Sequence, residues 1–389
     1  LTRRFSVFNQ NTRTVFRKTF SEAGEASYRG RGFRMRQVRI RTALVGCGAF
    51  ANAALVPAMH AAGIDIVAVC DPDAARADAT MRAARAGAAY AEMSEMLSAE
   101  TVDAVVMAVG PTIYPTLAKQ AFAHGVHVFV EKPPAITLVE AGAMKSAAVK
   151  AGKQLVVGFM KRFATGYRMA REISQEGNFG VVKMVNARIT SGVWTPAWSK
   201  TLTPFSFVLD HSVHFLDLMR FFGGPVDWVS AIKTEASDER FGFAVLLGYA
   251  SGAAGLLEIS NYESRGVPNE RVQITGSKGA SVTVENVSRV TYNRDAEPMV
   301  AGRVFSPQRE RLVWEPNMTN ISAENASLAH MGYVGEMRNL ANALTAGLPV
   351  TPSIEDGIAA LALAHAIVES DGRRMNLQST GELRNVAVH

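Results

Sequence analysis

At 389 residues, with 48% hydrophobic and 20% charged side chains, the chain has an ordinary globular composition for two or three domains, which excludes fibrous repeats and wholesale disorder. Its net charge of +6 is lopsided: residues 1–41 hold 11 Lys/Arg against 2 Asp/Glu, and the remainder holds 30 against 33. The body therefore offers no electrostatic footprint for nucleic acid. The uncharged run 241–257 is broken by Gly248, Tyr249, Ser251 and Gly252, which suits a hairpin turn and not a membrane span. Two cysteines, Cys47 and Cys70, are too few for a disulfide framework, so free thiols in a cytoplasmic protein are expected.

Residues 1–36 are rich in Arg, Ser and Thr and lack the apolar core of a secretory signal. Their composition is that of a mitochondrial presequence, but the plainer reading is a disordered or non-native extension ahead of Met35. Residues 37–46 then read as a buried strand leading into Gly46-Cys47-Gly48-Ala49-Phe50-Ala51, a G-x-G-x-x-A turn followed by a helix ending near Gly63. The first glycine permits a tight turn, the second admits a pyrophosphate to the backbone, and a small third residue lets helix pack on strand. Ala49 and Phe50 accompany the glycines as cofactor contacts. A second strand, 64–70, ends in Asp71, where a carboxylate can accept both ribose hydroxyls of NAD and repel the extra phosphate of NADP. Arg76, five residues on, keeps NADP as a second candidate.

The alternation continues with a helix at 92–97, a strand at 104–109, a helix at 114–123 and a strand at 126–130, predicting a parallel, doubly wound sheet over 37–157. Gly46, Asp71, Gly110 and Glu131-Lys132-Pro133-Pro134 all fall at the carboxyl ends of its strands, where such sheets bind ligands. The segment 207–222, closed by Gly223-Gly224-Pro225, reads as a helix with Asp210 and His214 four apart on one face. There the carboxylate would orient the imidazole and raise its pKa, leaving a base for a hydroxyl proton. A zinc site from Asp210, His211 and His214 lacks a compact third-ligand motif, and His211 is expected to point elsewhere. Asp217 reads as a brace, and His127 and His365 as packed.

Strand-like runs at 181–190, 226–233, 243–249, 254–260, 271–276 and 280–285 predict a mostly antiparallel sheet in a second α/β domain, 158–389. Apolar residues on both faces of Ala244-Val245-Leu246-Leu247 suggest that another subunit covers the outer face, in a homodimer or homotetramer. Trp194 and Trp198 form either a substrate wall or packing. Ser353-Ile354-Glu355-Asp356 opens a capped helix running to about 370.

With its HGVHVFVEKP run, glycine turn and Asp210-x-x-x-His214 in order, the sequence resembles, from about Val38 to about Arg373, the family of glucose-fructose oxidoreductase, inositol dehydrogenase and the rhizopine-catabolism proteins. The resemblance implies a Rossmann domain, an α/β domain with a large open sheet, and NAD(P)-dependent oxidation or reduction of a sugar, cyclitol or related polyol. It places Lys132 beside the nicotinamide and substrate and makes Asp210 and His214 catalytic, with no metal. Glu131 is expected to orient the turn beside the cofactor, and the terminal helix to pack beside the first domain. Arg162, after Met160, is expected to contact substrate. The chain departs from the family at Thr203-Pro204-Phe205-Ser206-Phe207, in place of a glycine-rich loop, and at Tyr114, in place of a common histidine at a site that could face ligand. An NAD-dependent glycosidase and a non-catalytic ligand-binding regulator are the rival readings.

Overall fold

A computed structural model describes residues 40–196, 198–264, 269–295, 309–316 and 323–377; the leader 1–36 lies outside them. Six strands, β1 (Arg41–Val45), β2 (Asp65–Cys70), β3 (Ala88–Tyr90), β4 (Ala104–Met107), β5 (His127–Glu131) and β6 (Leu155–Gly158), pair in the order β3-β2-β1-β4-β5-β6. All the pairings are parallel. Parallel strands buried on both faces need apolar side chains pointing both ways. In β1, Ala43 and Val45 enter one core while Leu44 enters another on the opposite face.

Nine strands form the second sheet: β7 (Val182–Thr190), β8 (Val226–Ser237), β9 (Arg240–Tyr249), β10 (Ala254–Ser260), β11 (Asn269–Gly276), β12 (Ser281–Glu285), β13 (Arg289–Asp295), β14 (Arg309–Trp314) and β15 (Met375–Asn376). Their order is β14-β13-β12-β11-β7-β10-β9-β8-β15. Only β7 and β10 run parallel among the described pairs, so the mostly antiparallel sheet expected from the sequence is present. Helices Val213–Gly223, Thr165–Ser174 and Ile354–Glu369 cover one face. The opposite face leaves Ile232, Leu246 and Leu256 exposed.

One hydrophobic core runs continuously from the first sheet to the second, through Val130, Val157, Phe159, Phe207 and Leu361. Helix Ile354–Glu369 packs on β6 and on helix Leu138–Ala151. The helix Tyr333–Ala346 was not anticipated. Its Val334, Met337 and Leu340 cover the far face of the first sheet together with Leu55 and Met59. Cys47 and Cys70 are buried and unpaired by disulfide. No helix among the described residues is long and apolar enough to cross a membrane.

Candidate active site

At the end of β1 the chain turns sharply at Gly46, whose φ of 95° is left-handed and disfavours a side chain. A Cβ there would lie 2.5 Å from the Ala108 carbonyl oxygen, whereas one at Gly48 would meet open space. Space over Gly48 is what a pyrophosphate requires, and Ala51, the small third residue, is buried under the helical turns that follow. Ala49 and Phe50 are exposed, with Phe50 edge-on to Tyr333 at 5.9 Å. Asp71 terminates β2 with its Oδ2 accepting from the Cys47 N–H at 2.9 Å. Its Oδ1 accepts from Asp73 N–H and the Arg76 guanidinium at 2.9 and 2.8 Å. Burial pushes the Asp71 pKa up, but these donors outweigh it and hold the carboxyl below the usual range. The cradle and acid thus suit the pyrophosphate and ribose of NAD, with Arg76 already engaged by the carboxylate.

Across the strand ends, Lys132 donates from Nζ to the Asp210 carbonyl oxygen at 3.0 Å and lies 3.7 Å from its carboxylate. Gly110 follows β4 with a φ of 127° and packs against Trp198, whose indole N–H donates to Asp210 Oδ1 at 2.9 Å. Trp194 is half-buried and its Nε1 has no partner. The helix carrying Asp210 begins at a Thr203–Ser206 capping box and contains a π turn at Val208–Ser212 before Val213–Gly223. Such turns insert an extra residue into the helical repeat.

That turn corrects the expected Asp210–His214 coupling. Asp210 addresses Lys132 and Trp198, while His214 Nδ1 is buried without a partner and its ring sits edge-on to Phe159 at 6.2 Å. The imidazole pKa is accordingly not raised. Burial, followed by Lys132, Lys161 and His211, pushes it well below its ordinary value. A neutral imidazole is a proton acceptor at neutral pH. His211 does not point away: it stacks on Phe207 at 4.9 Å, faces Trp194 at 6.1 Å, and burial, then Lys132 and Lys161, pushes its pKa down to about 4.

Three further expectations are corrected. Tyr114 is 2% exposed and belongs to the core, because its helix packs on β5 and on helix Leu138–Ala151. Arg162 is no free substrate donor. Its Nε donates to Asp217 at 2.7 Å and its Nη2 to Asp356 at 2.9 Å, tying the histidine helix to the terminal one. Glu131 turns inward from the cofactor edge: its carboxyl lies against Gly158, where a Cβ would come within 2.9 Å. One oxygen accepts from the Lys132 N–H at 3.2 Å and the other has no partner.

Sequence reasoning also missed Lys161, which pairs with Glu270 at 2.6 Å while Tyr167 donates to the same carboxylate at 3.0 Å. Its partner lies 109 residues away, so no local pattern signals the pair.

The first sheet matches the model of an oxidoreductase family with an NAD-binding Rossmann fold over residues 40–159. Residues 171–377 match that family's C-terminal alpha/beta domain. Among curated relatives, the D-apiose dehydrogenase of Paraburkholderia graminis is 29% identical over 66% of this chain and 71% of its own. The inositol 2-dehydrogenase of Rhizobium meliloti is 27% identical over 85% and 96%. A solved dehydrogenase structure from Chromobacterium violaceum superposes with a TM-score of 0.76 at 25% identity, covering 86% of this chain and 95% of that one. With both of its sheets matched in order, the chain belongs to the oxidoreductase family of glucose-fructose oxidoreductase, inositol dehydrogenase and the rhizopine-catabolism proteins (Gfo/Idh/MocA), an NAD-binding Rossmann fold joined to a C-terminal alpha/beta domain.

Proposed function

We propose that the protein is an NAD-dependent dehydrogenase that oxidises a secondary hydroxyl of a sugar, cyclitol or related polyol to a ketone, or runs the reverse reduction. The observation that carries this reading is the meeting of Lys132, Asp210 and a partnerless His214 at the strand ends that also present the Gly46 turn and Gly110. The inositol and apiose activities of the relatives supply the substrate class.

Bound NAD provides the hydride acceptor, seated by the Gly46–Gly48 turn and Asp71. The Lys132 ammonium hydrogen-bonds the reacting oxygen and stabilises the negative charge that grows on it as hydride departs. Asp210 anchors that ammonium through its carbonyl oxygen, with its carboxylate 3.7 Å away as the nearby counter-charge. His214, neutral because it is buried among positive groups, accepts the hydroxyl proton and returns it in reduction. Asp71 repels a 2′-phosphate, so NAD is preferred over NADP unless Arg76 releases the carboxylate and turns to that phosphate.

The same reading makes the protein a cytoplasmic homodimer or homotetramer without nucleic-acid or membrane partners. Two buried free thiols support the compartment. The exposed Ile232, Leu246 and Leu256, flanked by Arg188 and Glu258 on neighbouring strands, support pairing of two outer sheet faces, because such a surface is self-complementary.

The test is absorbance at the reduced-nicotinamide band while protein and NAD meet a panel of inositols, aldoses, sugar acids and glycosides, with aglycone release followed in parallel. Reduction with one polyol class is expected. Aglycone release without net reduction, or silence in both channels with NAD bound, would overturn the reading.

A further inference from the structure

Between β7 and the helix that begins at Pro204, residues 191–196 and 198–203 form no regular strand or helix, and one side chain among them touches both halves of the reacting centre. Trp198 donates its indole N–H to Asp210 Oδ1 at 2.9 Å. Its Cβ lies where a Cβ on Gly110 would be 3.4 Å away, which sets the same residue against the turn after β4. We infer that Trp198 is a positioning residue: it fixes the Asp210 carboxylate, through it the Lys132 ammonium, and so makes the geometry of the reacting oxygen depend on how the indole is seated. The inference rests on the dehydrogenase reading for its kinetic consequence but not for its structural one.

The chemistry of the contact is one-directional. An indole N–H is a donor only, so it can pair with the carboxylate and can take no part in proton transfer. Asp210 Oδ1 has Lys132 Nζ as its other neighbour, at 3.7 Å, longer than the 3.0 Å from that nitrogen to the Asp210 carbonyl oxygen. The carboxylate is thereby held short of a direct hydrogen bond to the ammonium, and Lys132 keeps donors free for a substrate oxygen. Without the indole donor, the carboxylate can close on Lys132 and compete with substrate for its protons. A residue that merely walled the substrate would act on substrate affinity. One that sets Asp210 acts on kcat and does nothing further once Asp210 cannot play its part.

Trp198→Phe retains an aromatic ring and deletes the donor together with part of the indole's packing, a packing loss that the Asp210→Asn background separates from the lost donor. The expected result is a fall in kcat of about tenfold, the scale of one hydrogen bond to a charged group, with KM and the NAD dissociation constant within about twofold. In an Asp210→Asn background the same change should cost less than about twofold, because the two residues act as one unit. An equal loss in both backgrounds, or a loss confined to KM, overturns the proposal. A readout independent of turnover is the indole N–H spectrum of protein labelled with 15N-tryptophan, where Trp198→Phe identifies the Trp198 resonance. Asp210→Asn, with the tryptophan intact, should shift that resonance selectively. An unmoved Trp198 signal overturns the contact; should Trp198→Phe fail to fold, an Asp210→Asn spectrum in which none of the four tryptophan indole signals moves overturns it equally. If no polyol is oxidised, the activity reading fails on its own assay and the indole spectrum still decides this one.

Discussion

Glu336, on helix Tyr333–Ala346, is 1% exposed, and neither carboxyl oxygen has a partner. Burial first, then the neighbouring Glu131 and Asp217 carboxyls, pushes its pKa well above the ordinary value, and burial pushes Glu131 up to about 7. Carboxyls raised in the folded state favour folding fully only below their unfolded value near pH 4.5. That contribution is lost as pH rises through the folded value, because the unfolded chain then sheds protons that the folded chain retains. For Glu131 alone the rise corresponds to about 3 kcal/mol. Glu336→Gln removes one of the two acids and offers an amide N–H within the same volume. It should stabilise the protein at pH 8 by about 2 kcal/mol, since Glu131 remains buried, and leave stability at pH 5 nearly unchanged. Thermal unfolding followed by circular dichroism should show the midpoint rising by about 2–3 °C at pH 8. An equal shift at both pH values, or destabilisation at pH 8, would refute the unpartnered-carboxyl argument.

His214→Ala should lower kcat by roughly two to four orders of magnitude while NAD binding, read by calorimetry, is retained. Because the imidazole is held well below its ordinary pKa, the acid limb of wild-type kcat/KM should lie below pH 6.5, and a limb above it would contradict a buried neutral base. Asp71→Ala should weaken NAD binding about tenfold and improve tolerance of NADP, a result that titrations with both cofactors would expose or dismiss. Arg162→Ala strands Asp217, 1% exposed, together with Asp356. The expected loss is about 3–5 kcal/mol of stability in denaturant titration; a loss under 1 kcal/mol would show that the buried pair carries little.

How much of this was legible in the sequence depended on how local each determinant is. The Gly46–Ala51 turn and Asp71 stand within one βαβ unit, and their spacing carries their geometry. Strands β7 to β12 announced themselves by alternation, but β13 and β14, with Arg289, Arg294 and Arg309 at their ends, did not. Arg162 looked free because its partners lie 55 and 194 residues away. Tyr114 read as ligand-facing because the family resemblance sets a common histidine at its position, although its helix buries it. The π turn at Val208–Ser212 changed which neighbours Asp210 and His211 meet, a shift that heptad-like spacing cannot register since sequence periodicity assumes a regular helix.

The helix Tyr333–Ala346 that closes over Leu55 and Met59 also bears on how the protein can be made. When Gly158 completes the first sheet, the ribosome still has roughly 190 residues to add before Ala346, about 10–40 s at ordinary elongation rates. Throughout that interval one apolar flank of the nascent Rossmann layer has no cover. A fragment cut at the apparent seam near Gly158 would keep that flank bare permanently, so sticky, chaperone-dependent behaviour is the expected fate of the isolated half, and its rescue should come from supplying the missing helix in trans.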